Sequence, residues 1–390
     1  MEPKQFLTEL EKKNWVILEI IRKNGPVTKT DISQLTGINI VTVSNYVNKY
    51  LDQGLVRGRG LDSSTGGRKP ELVELNSDFA FAVGLDLGPL NVPAADMTAI
   101  LTNLSGRVIV KLKRSRPKED IDRLLDKSTG LISELIKNSA VGREKIKGAG
   151  ISIPAVALSS YPAIKSRIEQ EFGMPVFIDN DANLSAFGEK MIGLTPEVKN
   201  IVYLHSETSC GIIINGEIYR GTSGSTGELA FREQLSNGNG FIKARRGPWL
   251  QTGESGLRTL TYAKHILKQG VESEINQIAG ENLEQLTFQT ITQAAKNGDK
   301  LAMELVEDAG VNLGMRVACL VNIFNPEMVI IGGGLIGTGS LLLDPIRKTV
   351  KKYAFEETAS AAKILPAQLG EDSAVAGAAG LVIREVFLQA

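Results

Sequence analysis

A polar run near the middle of the chain holds the residues best suited to chemistry. Residues 176–178 are apolar, Asp179-Asn180-Asp181 follow, and a helical pattern of small residues begins at Ala182. This order is typical of a strand whose carboxyl end delivers polar side chains just before a helix, which is where open α/β sheets bind ligands. Asp181 is a candidate for three roles: a catalytic base, an acceptor for ligand hydroxyl groups, or a cap of the helix together with Asn180. The residue types alone leave all three open.

A second group of polar residues lies near the N-terminus, on the exposed side of a helix predicted over residues 40–53. Its side chains are short, hydrogen-bonding or basic, as a helix that enters the major groove of DNA requires. Thr42, Asn45, Asn48 and Lys49 are the predicted contacts to base edges. The wider DNA-binding set predicted from this helix and the turns before it adds Thr28, Thr30, Asn39, Val41 and Ser44.

Two further helices are predicted to position this one. Residues 6–23 have amphipathic spacing and end at a stop signal, Asn24-Gly25-Pro26. Residues 29–36 begin with a capping box formed by Thr28 and Asp31 and end at a glycine. Two short helices joined by a glycine-containing turn are typical of a helix-turn-helix. The alternative is a three-helix packing module whose polar third helix faces only water.

The segment after the third helix predicts a β-hairpin wing with a polar and basic tip, LDSSTGGRKP. Arg59, Arg68 and Lys69 are predicted to contact the DNA backbone or the minor groove, which attracts arginine where it is narrow. Residues 1–70 contain eleven Lys and Arg against seven Asp and Glu, a net charge of +4. The rest of the chain must then carry −4, because the whole has no net charge. This charge separation favours different roles for the two parts.

The bulk composition narrows the class of protein. The chain has 390 residues, 42% of them hydrophobic and 23% charged, which is typical of a soluble globular protein with two or three domains. No apolar run is long enough to span a membrane and no signal peptide is evident, so we expect a cytoplasmic protein. Two histidines and two cysteines leave no cluster with metal-ligand spacing. Cys210 and Cys319 are predicted to be reduced and buried.

The body of the chain repeats one order of elements. Strand and hairpin patterns followed by helical patterns occur in two successive halves, which predicts an α/β fold with two similar lobes and a ligand cleft between them. The predicted limits are a winged helix-turn-helix over 1–58 with its wing continuing to 75, a wing tip and linker over 59–78, a first lobe over 79–190, and a second lobe over 191–373. A C-terminal helix over 374–390 is predicted to pack back on the first lobe.

Four motifs, GLDLG, VFIDNDANLSAFGE, GEIYRGTSGSTGELA and NPEMVIIGGGLIG, occur in the order and context of the ROK family of repressors and sugar kinases. With the winged helix ahead of them, the chain resembles the repressor branch, particularly the xylose-repressor type. The resemblance implies a two-lobed actin-like (ribonuclease H-like) sugar-kinase fold that binds sugar in the cleft. It matches Asp181 to the catalytic base of family kinases, and Asn180 and Glu228 to residues that contact sugar hydroxyls. Gly332-Gly333-Gly334 matches a nucleotide-side loop, for which a tight turn without a ligand is the alternative.

The chain departs from the kinase pattern at the phosphate-binding turns. Pro89 lacks an amide donor, Leu90 replaces a hydroxyl, and Glu207 would repel phosphate. Phosphoryl transfer depends on positioning and charge stabilisation, so a base without a phosphate cradle predicts no enzyme activity and no cofactor. The family's zinc ligands are also replaced, which predicts no metal site; the residues at those positions are Phe231, Phe241, Lys243 and Pro248. The loop after residue 154, which carries sugar contacts in relatives, is shortened.

These patterns together predict a DNA-binding transcriptional regulator, a repressor of a sugar-utilisation operon. A homodimer would place two recognition helices one DNA turn apart on a palindromic operator, and assembly into a tetramer is left open. Closure of the cleft on a sugar effector would change that spacing. Two alternatives stay open: a ROK sugar kinase with an appended DNA-binding domain, and a constitutive DNA-binding protein whose cleft is purely structural and whose Asp181 only caps a helix.

Overall fold

A computed structural model describes residues 7–61, 70–88, 95–117, 121–154, 161–193, 198–205, 209–229, 255–280, 283, 286–333 and 336–390. The chain divides into two compact units. The first is formed by Met1–Glu197 with Asp372–Ala390, and the second by Val198–Glu371. None of the helices in the described ranges is long and apolar enough to cross a membrane. The domain limits given above remain predictions.

The first unit begins with a winged helix. Its helices are α1 (Glu9–Asn24), α2 (Lys29–Thr36) and α3 (Ile40–Asp52), and its strands, in the order β1-β3-β2, are β1 (Val27–Thr28), β2 (Val56–Leu61) and β3 (Glu71–Leu75). The start of α1 lies at Glu9 because Thr8 and Glu11 form a capping box there. The N-terminus of α2 is closed by the predicted box of Thr28 and Asp31.

A five-stranded sheet follows in the first unit, in the order β6-β5-β4-β7-β8. The strands are β4 (Phe81–Asp86), β5 (Asp96–Asn103), β6 (Val108–Ser115), β7 (Ile146–Ile153) and β8 (Val176–Asn180), and the helices are α4 (Ile121–Ser139), α5 (Tyr161–Phe172) and α6 (Asp181–Gly188). A π-helical turn, Glu189–Gly193, continues α6. The strands β4, β7 and β8 run parallel, so their carboxyl ends lie at one edge.

The second unit is built on a sheet of five strands in the order β11-β10-β9-β12-β13. The strands are β9 (Ile201–Leu204), β10 (Cys210–Ile214), β11 (Glu217–Ile218), β12 (Met328–Ile331) and β13 (Lys363–Pro366); the helices are α7 (Ser255–Lys268), α8 (Glu274–Ala279), α9 (Phe288–Lys296), α10 (Lys300–Phe324), α11 (Ser340–Tyr353) and α12 (Glu356–Ala361). Cys210 is buried as predicted, but Cys319 is exposed. The prediction for Cys319 was wrong because its neighbours Val317, Leu320 and Val321 form the buried face of α10.

The last helix, α13 (Ser373–Leu388), returns to the first unit and covers its sheet. It approaches the strands through glycines. A Cβ atom on Gly150 would lie 1.8 Å from the carbonyl oxygen of Ala378, and one on Gly84 would lie 2.4 Å from that of Val375. No side chain fits at these two strand positions, so the helix backbone packs directly on the sheet.

We expect Gly150→Ala to lower the free energy of unfolding of the protein by about 3 kcal/mol, because the added methyl group must push α13 off β7. Urea unfolding followed by circular dichroism measures the change. Gly130→Ala is the matched control, since Gly130 is exposed in the middle of α4 and a Cβ atom there meets nothing within 4 Å. The control should leave stability unchanged or raise it by up to about 1 kcal/mol. Equal stabilities for the two variants would contradict the close packing of α13.

The winged helix is attached to this sheet and helix layer. Trp15 of α1 packs against Phe387 of α13, with ring centroids 6.0 Å apart. Asn14 donates to the main-chain oxygen of Leu388 (3.4 Å) and accepts a hydrogen bond from the hydroxyl of Tyr50 (2.8 Å). Tyr50 and Phe387 are fully buried, and Asn14 and Trp15 are only 3% and 9% exposed. The winged helix is therefore docked on α13 through a buried contact.

A cluster of charged groups lies at the C-terminal end of α1. Lys23 of α1 donates to the main-chain oxygen of Lys190 (2.9 Å) and lies 3.7 Å from the carboxylate of Glu19. Burial lowers the pKa of Lys23 to about 8, with Arg22 and Lys190 adding repulsion and Glu19 opposing the shift. The unfolded chain keeps this proton up to a pKa of about 10.4, so it binds more protons than the folded chain between these values.

The contribution of Lys23 to the free energy of unfolding should therefore rise as pH increases from 8 to 10. We expect the free energy of unfolding of the wild type, relative to Lys23→Met, to increase by about 2 kcal/mol over this interval, since the methionine cannot titrate. Urea unfolding at each pH gives the difference. Lys13→Met, an exposed site on the same helix, is the control and should show no such trend. A flat difference for Lys23→Met would show that the ammonium group is hydrated in the folded protein.

Candidate DNA-binding surface and effector site

The helix α3 has one buried face and one polar face. Its buried side chains are Val43, Val47 and Tyr50. Asn39 caps the helix, and its Oδ1 atom accepts from the amide of Val41 (2.8 Å). This cap satisfies an amide at the N-terminus of the helix and sets the angle at which α3 leaves the turn.

The structure places most of the predicted DNA contacts at the surface. Thr30 is exposed in the first turn of α2, and Arg59 is exposed on β2. On and just before α3, the exposed residues are Asn39, Val41, Asn45, Asn48 and Lys49, and the half-buried residues are Thr42 and Ser44. These residues of α3 share the face opposite the buried one, and all of them except Val41 are polar.

Two of the predicted contacts, Thr28 and Lys49, have a different setting. Thr28 is 3% exposed, and its hydroxyl accepts from the amide of Asp31 (3.1 Å), so its burial does not support a DNA contact. The ammonium group of Lys49 donates to the main-chain oxygen of Ala390. Arg68 and Lys69 lie outside the described residues.

Two basic residues near this surface escaped the sequence interpretation. Lys29 donates to Oδ1 of Asn48 (2.7 Å) and so links the first turn of α2 to α3. Arg57 is exposed on β2, and its guanidinium, like that of Arg59, pairs with Glu74 (2.6 and 3.3 Å). The signal for Arg57 was its spacing of two from Arg59, which puts both side chains on one face of the strand.

The polar residues after β8 lie at an edge shared by three strands. In the register of the sheet, Asp86 of β4 is opposite Ser152 of β7, and Ser152 is opposite Asp179 of β8. Three polar side chains therefore stand in a row at the carboxyl ends of parallel strands, which is the edge where sheets of this type bind ligands. Sequence reasoning identified Asp181 and Asn180 beside this row but missed Ser152 and Asp179, which the same rule applied to each strand would have found.

The capping role at this edge belongs to Asn180. Its Oδ1 atom accepts from the amide of Asn183 (2.7 Å), and it is 5% exposed. Asp181 is the first residue of α6, half-buried, with Oδ1 accepting from the amide of Ala182 (2.8 Å). A carboxylate in this position is favoured by the positive end of the helix dipole. The fold of α6 therefore has its cap without Asp181.

Two buried polar atoms at this edge have no hydrogen-bond partner within the described part of the chain: Oδ1 of Asn183 and Oγ of Ser152. The amide nitrogen of Asn183 is held by Asp179 (2.9 Å), so the orientation of its side chain is set. An unpaired buried acceptor costs roughly 1–3 kcal/mol, and such atoms concentrate where a ligand or solvent supplies the missing bond. The edge has the donors and acceptors that a polyhydroxylated ligand needs.

Glu228, the third candidate for sugar binding, belongs to the second unit. It is exposed and lies opposite Ser209 in an isolated β-bridge beside β10. The preceding Gly227 has φ +93°, and a Cβ atom there would lie 1.8 Å from the carbonyl oxygen of Cys210. Burial, with the nearby charge of Glu228, raises the pKa of the Cys210 thiol to about 12, so this thiol stays neutral. Asn180 and Asp181 belong to the first unit.

The first glycine of the turn after β12 packs against a buried tyrosine. A Cβ atom on Gly332 would lie 2.3 Å from the hydroxyl oxygen of Tyr203, a residue that is 1% exposed. Gly332 is thus required by the tyrosine packed against it, which favours a tight turn over a nucleotide-side loop. Gly334 lies outside the described residues.

The substituted kinase and zinc positions also lie outside the described residues: Pro89, Leu90, Glu207, Phe231, Phe241, Lys243 and Pro248. Phenylalanine and proline side chains have no donor atom for zinc, which proteins bind through cysteine, histidine or carboxylate groups. The residues present do not fit a zinc site.

Comparison with known proteins gives the two parts separate matches. A model of winged helix-turn-helix DNA-binding domains matches residues 10–57, and a model of the ROK family matches residues 83–385. A xylose repressor of Caldicellulosiruptor bescii is 31% identical over 388 residues, covering 95% of this chain and 95% of the relative.

Two solved structures show the fold. A ROK family transcriptional regulator, a homolog of the E. coli MLC protein, matches with a TM-score of 0.74 at 20% identity and covers 97% of this chain and 96% of that chain. A ROK family glucokinase from Streptomyces griseus, in complex with glucose and AMPPNP, matches with a TM-score of 0.63 at 25% identity, covering 77% of this chain and 99% of that chain. The predicted fold class is confirmed: α/β, with a winged helix-turn-helix ahead of a two-lobed actin-like fold.

Proposed function

The chain belongs to the ROK family, and from this premise we propose that it is a repressor of a sugar-utilisation operon that releases DNA when it binds D-xylose. One observation carries the proposal. The winged helix precedes the ROK domain, and the whole arrangement aligns over 95% of the length of a protein named xylose repressor. The chain is accordingly a DNA-binding transcriptional regulator.

The polar face of α3 supports a specific mode of DNA binding. Asn45 and Asn48 are exposed on this face, and an asparagine amide can pair with both N6 and N7 of adenine in the major groove. Arg57 and Arg59 on the wing strand have the charge and reach to contact phosphates, which fix the orientation of the protein without reading sequence. We assign base readout to α3 and backbone contact to the wing.

The polar groups at the strand edge have the hydrogen-bonding chemistry to bind a sugar. A pentose offers several hydroxyl groups, each able to donate and accept. Asp181 and Asn180, beside the row of Asp86, Ser152 and Asp179, supply acceptors and donors at one strand edge. We assign the sugar site to this edge. We choose xylose because a relative that aligns over 95% of this chain is named xylose repressor.

We propose that the protein is not a kinase. A relative that aligns over 95% of this chain is named a repressor, but the likeness to a ROK glucokinase makes phosphoryl transfer the second candidate function. Against that candidate, Pro89 and Glu207 replace the groups that would hold phosphates, and Tyr203 fills the turn at Gly332. Without positioned phosphates, a sugar hydroxyl activated by Asp181 has no phosphoryl group to attack.

We further propose that the repressor acts as a homodimer in the cytoplasm. An operator with two half-sites one helical turn apart requires two recognition helices, and each chain supplies one α3. The net charge of +4 in residues 1–70 is modest, so two copies also give the affinity that one basic module lacks. Sedimentation equilibrium in the presence and absence of operator gives the number of chains bound.

Two assays on the purified protein test the proposal. Selection of binding sites from random double-stranded DNA should enrich a palindrome, and the enriched site should release the protein when D-xylose is added. A coupled ADP-release assay with ATP and a panel of sugars should give no turnover. If no DNA sequence is enriched, the proposed regulatory function is refuted. If ADP is released, and the release depends on a sugar and on Asp181, the protein is a kinase instead.

A further inference from the structure

One continuous helical segment joins the proposed sugar edge to the DNA-binding part. It begins at Asp181 as α6 and continues through the π-helical turn Glu189–Gly193. The last-turn carbonyl groups of a helix have no partner within the helix. Here the main-chain oxygen of Lys190 accepts from Lys23 (2.9 Å), and that of Met191 accepts from Arg22 (2.5 Å). Both donors belong to α1 of the winged helix.

Arg22 is held in a fixed position while it makes this contact. Its side chain is 4% exposed and pairs with the carboxylate of Glu19 through Nε (2.9 Å) and Nη2 (2.5 Å). Its Nη1 atom donates to the main-chain oxygen of Ser105, in the turn between β5 and β6 (3.1 Å). A planar guanidinium that satisfies four acceptors at once tolerates little displacement of any of them. A shift of Met191 must therefore move α1 or break this cluster.

The helix α6 is also rigidly joined to α13. A Cβ atom on Gly188 would lie 2.2 Å from the carbonyl oxygen of Ser373, and one on Gly377 would lie 1.8 Å from that of Leu184. The buried carboxylate of Glu189, 0% exposed, accepts from the hydroxyl of Ser373 (2.8 Å). Backbone packed against backbone leaves no side chains to absorb a displacement. The two helices therefore move as one body.

The same body reaches α1 a second time, because the far end of α13 carries Phe387 and the main-chain oxygen of Leu388, which contact Trp15 and Asn14. The helix α1 is thus held at two places by elements that converge on the sugar edge. One attachment is polar, at the end of the π-helical turn, and the other is mainly apolar, at the end of α13.

We propose that the segment Asp181 to Gly193 transmits the sugar signal to the DNA-binding part, and that Arg22 and Lys23 are the positioning residues that receive it. This inference rests on the proposed function, since it needs a sugar that binds at Asp181 and changes operator affinity. Sugar contacts to the first turn of α6 displace the segment, its last carbonyls pull on Arg22 and Lys23, and α1 carries the recognition helix with it. The physical requirement is a segment with two positions that both sites bias.

The test uses the full-length double variant Arg22→Gln, Lys23→Gln, which removes both charges that contact the π-helical turn. Lys12→Gln, Lys13→Gln is the matched control, because both lysines are exposed and lie on the same helix. Calorimetry with D-xylose, with and without operator DNA, gives the coupling factor. In the wild type and the control we expect a factor in the usual range of roughly 5 to 150. In the double variant it should fall to about one, while xylose affinity without DNA and operator affinity without xylose each stay within about threefold.

The outcomes separate the two proposals. A double variant coupled as strongly as the wild type overturns the transmission route and leaves the repressor intact. A wild type that binds operator but not xylose, or binds both without coupling, refutes the xylose effector and the transmission route together. If the double variant fails to fold, hydrogen–deuterium exchange on the wild type decides. Xylose should then change exchange in residues 16–24 and 186–193, and an unchanged α1 overturns the inference.

Discussion

Asn45→Ala should weaken operator binding by about 10- to 100-fold, because loss of one well-placed contact to a base in the major groove costs roughly 1–3 kcal/mol. Asn45 is exposed on the polar face of α3, and its amide is the type that reads adenine. The fold should be unaffected, since the buried face of α3 consists of other residues. Fluorescence anisotropy with a labelled operator at one fixed salt concentration measures the change.

Asn312→Ala is the control for this experiment, as it removes an exposed asparagine from the helix α10 of the second unit and should leave operator affinity unchanged. The loss in the Asn45 variant should also be specific: affinity for random DNA should change little, because non-specific binding depends on phosphate contacts. An operator affinity equal to that of the wild type would remove α3 from the base-reading role.

Asp181→Asn should lower affinity for D-xylose by at least about 10-fold and abolish the release of operator at moderate sugar concentrations. A carboxylate can accept from two hydroxyl groups, and a hydrogen bond to a charged group contributes roughly 1.5–3 kcal/mol, against about 0.5–1.5 kcal/mol for a neutral one. The thermal stability of the unliganded protein should fall little, since Asn180 holds the cap of α6. Calorimetry gives the xylose affinity and anisotropy gives the operator release.

Asp122→Asn controls for the electrostatic part of this change. Asp122 is an exposed carboxylate in the first turn of α4, so its removal alters a helix terminus in the same way without touching the proposed sugar edge. Xylose affinity should be unchanged in that variant. An Asp181→Asn protein that binds xylose as the wild type does would assign Asp181 to the fold alone.

The winged helix could be predicted well from sequence because its signals are local. The capping box of Thr28 and Asp31 lies within four residues of chain, and Gly37, with φ +69°, ends α2 where the sequence indicated. The start of α1 was predicted less well, since a second capping box, Thr8 with Glu11, was overlooked. Strand β1 was not predicted, because two residues become a strand only by pairing with β3, more than forty residues later.

The candidate effector site was predicted in part for the same physical reason. An apolar strand followed by Asp179-Asn180-Asp181 identifies the edge, but the row of Asp86, Ser152 and Asp179 depends on the register of three strands that are distant in sequence. Asn180 rather than Asp181 is the cap because the backbone of Asn180 is extended and the helix begins at the next residue.

The contacts between the sheet layer and the winged helix were beyond prediction. Lys49 was assigned to DNA from its place on α3, yet its ammonium group meets the main chain of Ala390, which is 341 residues away. In the sequence, Arg22 and Lys23 are ordinary basic residues in the last turn of a helix, where their charges interact favourably with the helix dipole. Only the tertiary packing reveals that their donors satisfy the last carbonyls of the segment that begins at Asp181.

The central claim is that one chain binds operator DNA and releases it when a sugar binds. Its most direct test is the affinity of the wild-type protein for its selected operator, measured by anisotropy at one salt concentration with and without saturating D-xylose. The account predicts an affinity at least about fivefold lower with xylose, the lower end of typical allosteric coupling. An operator affinity that neither xylose nor any other sugar in a broad panel changes would contradict it, and would leave a DNA-binding protein whose ROK domain is structural.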